Sequence, residues 1–275
     1  MPLFRRWLRP HAVPIPEALW QAQYPRLDGL LGGASPPAQR LRELCSRFLA
    51  QKSISPAAGL QLDAAMQLHI ATQACLPILN LGLHWYRGWS GIVVYPARFR
   101  VRRRVQQDDG LEHEMDAELS GEAWDGGPVV LSWDDSGFDS APDGGNVVIH
   151  EFAHTLDLLD GNADGHPPLD RRLHPGLSRA LWSEALGDAY ERFCAGLDLI
   201  ESDIPADVDP EGPGADAYYA RLPLDPYAAT DPAEFFAVCS EALFVQPEPL
   251  RDAFPHWFAL LRRFYRLDQD RPGDL

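Results

Sequence analysis

Two histidines and a glutamate set the chemistry open to this chain: His150-Glu151-Phe152-Ala153-His154 fits the pattern HExxH. On a helix, His150 and His154 stand one turn apart on the same face. Both imidazoles can then reach one tetrahedral ion at about 2.0–2.1 Å. Glu151 projects beside that ion, placed to take a proton from a water the ion polarises. With nine histidines in the chain, chance produces the pattern roughly one or two times in a hundred, so the setting has to decide. The neighbours Val147, Val148, Ile149, Phe152, Ala153, Leu156, Leu158 and Leu159 are apolar nearly all round the helix, which implies burial. Two histidines and a carboxylate buried with no local Lys or Arg are costly without a counter-charge. A divalent cation supplies it, so the pattern reads as a site for one Zn2+ per chain.

A hydrolytic zinc site has three protein ligands and one open position. Two carboxylates compete for the third place. Asp160 lies six residues past His154, the spacing of peptidases whose motif continues HExxHxxGxxH or ends in Asp. That geometry turns the chain at a Gly three residues past the second His, and here that position is Asp157. Glu234, on a later helix beginning at Pro232, is the other candidate and the preferred one; a ligand from a second helix is the gluzincin arrangement. Glu241, two turns after Glu234, faces nearly the same way and reads as a weaker ligand or as a partner of a ligand. Asp157 is placed either to accept an N–H from a ligand imidazole or simply to end the helix.

These residues need elements to hold them. Residues 37–52 and 57–76 show helical spacing of apolar side chains; His69 falls within the second and reads as a packed or surface histidine. Residues 91–133 change to strand character: Gly91–Tyr95, Phe99–Val105, Glu112–Leu119 and Pro128–Trp133. Their close spacing predicts a small, mostly antiparallel sheet. Beyond residue 146 the chain reads as helical: Asn146–Leu159 between Gly144-Gly145 and Gly161, then Leu177–Leu197, Pro232–Phe244 with Pro232 near its first turn, and Pro249–Arg266. Residues 198–216, with seven acidic residues, three prolines and two glycines, read as an exposed loop. The first 35 residues, rich in Pro and Gly, read as an irregular arm.

Composition narrows the partners. A net charge of −16 over 275 residues repels phosphate backbones, so nucleic acid and anionic membranes are poor partners. The one basic run, Arg102–Arg104, reads as a solvated strand face. Cys45, Cys75, Cys194 and Cys239 form no CxxC pair, which argues against a cysteine zinc site and fits a reducing compartment. No stretch approaches 18 uninterrupted apolar residues, and the N-terminus lacks the apolar segment of a secretory signal. The expectation is a cytoplasmic protein.

Three segments together carry a family resemblance: His150-Glu-Phe-Ala-His-Thr-Leu-Asp157, Tyr227-Ala-Ala-Thr-Asp-Pro-Ala-Glu-Phe-Phe236, and Gly121-Glu-Ala-Trp-Asp-Gly-Gly-Pro-Val-Val-Leu-Ser-Trp133. The chain resembles the Mlc titration factor A family of zinc peptidases over most of residues 35–266. Its Tyr-x6-Glu-Phe-Phe segment also resembles the catalytic domain of anthrax lethal factor. The resemblance implies a zincin-like fold, aminopeptidase-type activity on peptide substrates and a cytosolic location. It implies His150, His154 and Glu234 as zinc ligands, Glu151 as base and Tyr227 as a hydrogen-bond donor to the transition state. Members in enteric bacteria bind the glucose repressor Mlc, so a repressor of that type is an implied partner.

The expected fold is therefore α+β and zincin-like. It is mainly helical, with a helical part over residues 36–90 and a catalytic part over 91–270 in one domain. Two functions compete: a zinc peptidase, and a regulatory protein that sequesters a transcriptional repressor with zinc in a structural or switching role. Glu151 favours the first, because a closed structural site has no use for a base and wants four protein ligands.

Overall fold

A computed structural model describes residues 12–27, 37–89, 91–97, 99–106, 112–119, 121–123, 126–137, 145–210 and 212–270. The helices are α1 (Glu17–Gln23), α2 (Ala38–Gln51), α3 (Ala64–Cys75), α4 (Val147–Asp157), α5 (Arg179–Asp203), α6 (Asp216–Tyr219), α7 (Pro232–Val245), α8 (Pro247–Ala253) and α9 (Pro255–Phe264). The strands are β1 (Ser53–Pro56), β2 (Gly91–Tyr95), β3 (Phe99–Gln106), β4 (Glu112–Leu119), β5 (Gly121–Ala123) and β6 (Val129–Ser132). The mainly helical α+β character matches the sequence.

The sheet corrects it. Strand order is β1-β2-β6-β5, and both β1–β2 and β2–β6 are parallel, with Ile54 opposite Ile92 and Ile92 opposite Val129. Only the short edge strand β5 runs antiparallel, Gly121 opposite Leu131; β3 and β4 form a separate antiparallel pair. The physical reason lies in the connections. α3 is the crossover between β1 and β2, and the long β3–β5 excursion separates β2 from β6, so each central strand re-enters from the same end. β2 and β6 carry the near-continuous apolar runs typical of parallel strands, with Ile92, Val94, Val129 and Leu131 buried. β1, Ser-Ile-Ser-Pro, is mostly exposed and has no such run.

Other boundaries shift for local reasons. The N-terminal arm contains a helix, α1, whose Trp20 is buried. α3 starts at Ala64, after Asp63, whose side chain accepts the Met66 N–H, rather than at residue 57. The expected last helix is two, α8 and α9, because Pro255 cannot continue a helix and holds Phe254 away from helical geometry. α5 runs on into the acidic segment as far as Asp203, and α6 forms a turn at its end. The Arg102–Arg104 backbone lies in β3, but the side chains there, like residues 1–11 and 28–36 of the arm, lie outside the described residues.

The core gathers on two helices that are apolar nearly all round. In α4, Val148, Ile149, Phe152, Ala153 and Leu156 are fully buried. In α7 the same holds for Phe235, Phe236, Ala237, Cys239 and Phe244. α4 and α7 pack on each other. Aromatic side chains from α5 and α9 close the far side, with Trp182 and Trp257 edge to face at 4.7 Å. No helix among the described residues is long and apolar enough to cross a membrane.

Candidate metal centre

α4 begins at Asn146, whose side-chain oxygen accepts the Ile149 N–H at 3.0 Å. That cap sets the phase of the helix, so His150 and His154 emerge one turn apart with ring centroids 4.8 Å apart. α7 begins at Asp231, which accepts the N–H groups of Ala233 and Glu234 at 2.8 and 2.9 Å. Pro232 occupies the first helical position, where its missing N–H costs nothing. Glu234 therefore leaves the first turn of α7, where the helix dipole favours an anion. Its Oε2 lies 3.0 Å from His150 Nε2 and 3.1 Å from His154 Nε2, and the two Nε2 atoms are 3.2 Å apart.

Glu241, seven residues on, brackets His150 from the other side. Its Oε2 lies 3.2 Å from His150 Nδ1, and its Oε1 accepts the Asn146 backbone N–H. Holding Nδ1 leaves Nε2 facing the cluster, which is how outer partners orient a ligand histidine. Burial disfavours a charged His150, but the hydrogen bonds of Glu234 and Glu241 and the charges of Glu241 and Glu151 outweigh it and hold its pKa well above the ordinary histidine value. Burial alone would likewise raise the Glu234 carboxyl; the hydrogen bonds and charges of His150 and His154 hold it well below the usual carboxylate range. The field at the centre of this cluster favours positive charge.

Tyr227 sits in the 3-10 turn Pro226–Ala229, which Asp225 caps by accepting the Tyr227 N–H at 2.7 Å. Its hydroxyl donates to Glu234 Oε1 at 3.2 Å, its ring lies 6.1 Å from that of His150, and it is 49% exposed. A large half-exposed aromatic beside buried polar groups marks an open side to the cluster. Glu151 is buried on α4 next to His150.

Asp160 is elsewhere: it lies in the 3-10 turn after α4 and its carboxylate pairs with Arg179 at 3.5 Å. Asp157 is fully buried, but its Oδ2 accepts the Gly165 N–H at 2.7 Å rather than an imidazole N–H. Burial pushes its carboxyl up to about 7. His69 is packed, as expected. Asn146 and Gln73 were not among the expected site residues. The Gly-Gly-Asn start of the helix signals the Asn146 cap, whereas nothing local to residue 73 does.

The family model for glucose-regulated metallo-peptidase M90 matches residues 3–266. The chain belongs to that family. It is 36% identical over 267 residues to a Mlc titration factor A of Cronobacter sakazakii, covering 95% of this chain and 91% of that protein. It is 38% identical to the Mlc titration factor A of Serratia proteamaculans over 233 residues, covering 84% and 80%, and 38% identical to that of Yersinia pestis over 236 residues, covering 85% and 78%. The match reaches back through α1, so the N-terminal arm is part of the family's chain.

As a metallopeptidase-family member the chain needs a metal site, and the donor set fits one. His150, His154 and Glu234 are the one group of three such side chains, among the described residues, whose donor atoms lie within 4.8 Å of one another. Two imidazole nitrogens and one carboxylate oxygen suit zinc, and three protein donors leave a position open.

Proposed function

We propose that this protein is a zinc-dependent peptidase of aminopeptidase type, with His150, His154 and Glu234 as zinc ligands. The observation that carries the reading is the convergence of those three side chains within 4.8 Å, with Glu151 next to His150 on α4. Bound there, zinc supplies Lewis acidity and brings the pKa of a water down toward neutrality. Glu151 takes the proton of the attacking water and returns it to the leaving amine. Tyr227 donates its hydroxyl to the carbonyl oxygen as negative charge develops, releasing its contact with Glu234 Oε1 to do so. Glu241 keeps His150 in the tautomer that presents Nε2.

Zincin-like architecture is part of the same proposal, within one domain over residues 36–270. Its support is the HExxH helix packed against β5 and β6 of a mixed sheet with an antiparallel edge. The aminopeptidase type and a cytoplasmic site of action rest on the family resemblance. The test is hydrolysis of amino-acid anilides by purified protein. Turnover that chelator abolishes and stoichiometric zinc restores is the expected result; no turnover on any aminoacyl anilide with zinc bound would refute the aminopeptidase reading.

A second reading has its own observation: the curated relatives carry the name Mlc titration factor A. We propose repressor binding as a function that can coexist with catalysis. Co-sedimentation with a purified repressor of the Mlc type, using wild-type protein and Glu151→Gln, separates the two activities.

A further inference from the structure

One buried polar chain leads from the histidines to α1. His150 Nδ1 meets Glu241; Glu241 holds the Asn146 backbone N–H; Asn146 Nδ2 donates to Gln73 Oε1 at 2.6 Å. Gln73 Nε2 donates to Ser136 O at 2.9 Å, and His69 Nε2 lies 2.7 Å from the same carbonyl. A carbonyl only accepts, so His69 carries its proton on Nε2. Its Nδ1 is then the acceptor for Gln23 Nε2, 2.8 Å away on α1. Gln23, His69, Gln73, Ser136 and Asn146 are all at least nine-tenths buried, and Gln73 is fully so.

Every link has a definite direction. The carboxamide of Gln73 is held at both ends, its donor by Ser136 O and its acceptor by Asn146 Nδ2, so it cannot flip without losing both bonds. Asn146 is in turn fully committed: Oδ1 caps α4, Nδ2 binds Gln73, and the backbone N–H binds the carboxylate that orients His150. Buried amides in this state specify one geometry, because any alternative strands a polar group in an apolar core.

We propose that Gln73, supported by His69, is a positioning residue for His150: it fixes Asn146, and through Asn146 and Glu241 it fixes the imidazole. The inference rests on His150 being a zinc ligand. It places part of the control of the metal centre on α3, and it gives α1, the last link through Gln23, a stake in site geometry.

The test is a double-mutant cycle read by zinc affinity, with kcat and KM on an anilide substrate as a second readout. Gln73→Met keeps side-chain length and removes both hydrogen bonds. Loss of an outer partner of a metal histidine typically weakens metal binding about 10–100-fold; for Gln73→Met, two links beyond Glu241, we expect an effect at the lower end, about tenfold, with kcat lowered and KM within twofold. Glu241→Gln should lie within that range, and the double variant should be no worse than Glu241→Gln alone. Gln73→Glu, isosteric and able as the neutral acid to donate to Ser136 O and accept from Asn146, should fall between Gln73→Met and the parent when read below neutral pH, and it stands in if Gln73→Met does not fold. A role confined to core stability predicts a lower unfolding midpoint with unchanged zinc affinity in the folded protein, and that result overturns the proposal. Additive effects in the cycle overturn it as well. Zinc retained at full affinity by His150→Ala would instead refute the metal-site reading itself, a separate outcome read in the same titration.

Discussion

Gly165 is wedged where the two helices that carry the proposed metal ligands meet, and replacing it should expose how far their separation depends on it. It lies in the left-handed region at φ +77°, and a Cβ built there falls 2.5 Å from the Pro232 carbonyl oxygen and 3.0 Å from Leu186 Cδ2. Its N–H is bound by Asp157 at the end of α4, and its carbonyl accepts the Trp182 indole N–H at 2.8 Å. The residue is therefore wedged between α4, α5 and the start of α7, two positions before Glu234. In Gly165→Ala, left-handed backbone with a Cβ costs about 1–2 kcal/mol. Overpacking against a backbone carbonyl, which cannot swing aside as a side chain can, adds about 1–3 kcal/mol. The expected loss is about 2–5 kcal/mol in urea unfolding followed by tryptophan fluorescence, with weaker zinc binding because the start of α7 moves away from α4. Gly161→Ala is the matched control: φ is +95° but the space is open, so only the backbone term of about 1–2 kcal/mol applies. Equal destabilisation by the two substitutions, or unchanged zinc affinity in Gly165→Ala, would refute the packing argument.

Glu151→Gln should keep zinc and fold while losing anilide hydrolysis by several orders of magnitude, as metal analysis and turnover on one sample will show. Glu234→Ala should lose most bound zinc and Asp160→Ala should retain it; the reverse would make Asp160 the third ligand. Tyr227→Phe should lower kcat by about 10²–10³ with zinc content unchanged and KM little altered; full activity would remove Tyr227 from the mechanism. His174, 2% exposed, is pushed down to about 4 by burial, against 6.5 for an ordinary histidine. Between those values the unfolded chain binds a proton that the native state refuses, so this contribution is complete above pH 6.5 and is lost as pH falls toward 4. His174→Gln should shrink the stability difference between pH 7.5 and pH 5 by about 1–3 kcal/mol, and an unchanged difference in urea midpoints would contradict it.

What the sequence made legible is what local rules encode. The all-round apolar character of residues 147–159 announced a buried helix, and Pro232 announced the start of α7. The sheet topology was hidden because β1, Ser-Ile-Ser-Pro, has neither alternation nor an apolar run, and its parallel partner lies nearly forty residues away. The break between α8 and α9 was legible in Pro255, but the apolar period runs through Phe254 and masks it. The polar chain from Gln23 to His150 had no local signature at all. Its links span 46 to 95 residues for the Gln23–His69, Gln73–Asn146 and Asn146–Glu241 contacts, and only the folded core brings those side chains together.

The same division explains how the site is held. Three of the proposed site side chains follow closely on an Asx cap: Tyr227 two residues after Asp225, Glu234 three after Asp231, His150 four after Asn146. A cap contributes only about 0.5–2 kcal/mol, small beside the core, but it fixes the backbone phase of the next turn and so the direction in which each group leaves its helix. Caps cannot fix the separation between helices. That falls to the apolar contact of α4 with α7, to the wedge at Gly165, and to Glu241, which reaches from α7 to both the cap and the first histidine of α4. Because Glu234 and Glu241 both pair with histidine in the described structure, the apolar packing that joins the helices also gathers the charge of the cluster. A substitution that loosens that packing should therefore be felt in zinc affinity before it is felt in the helical content of the fold.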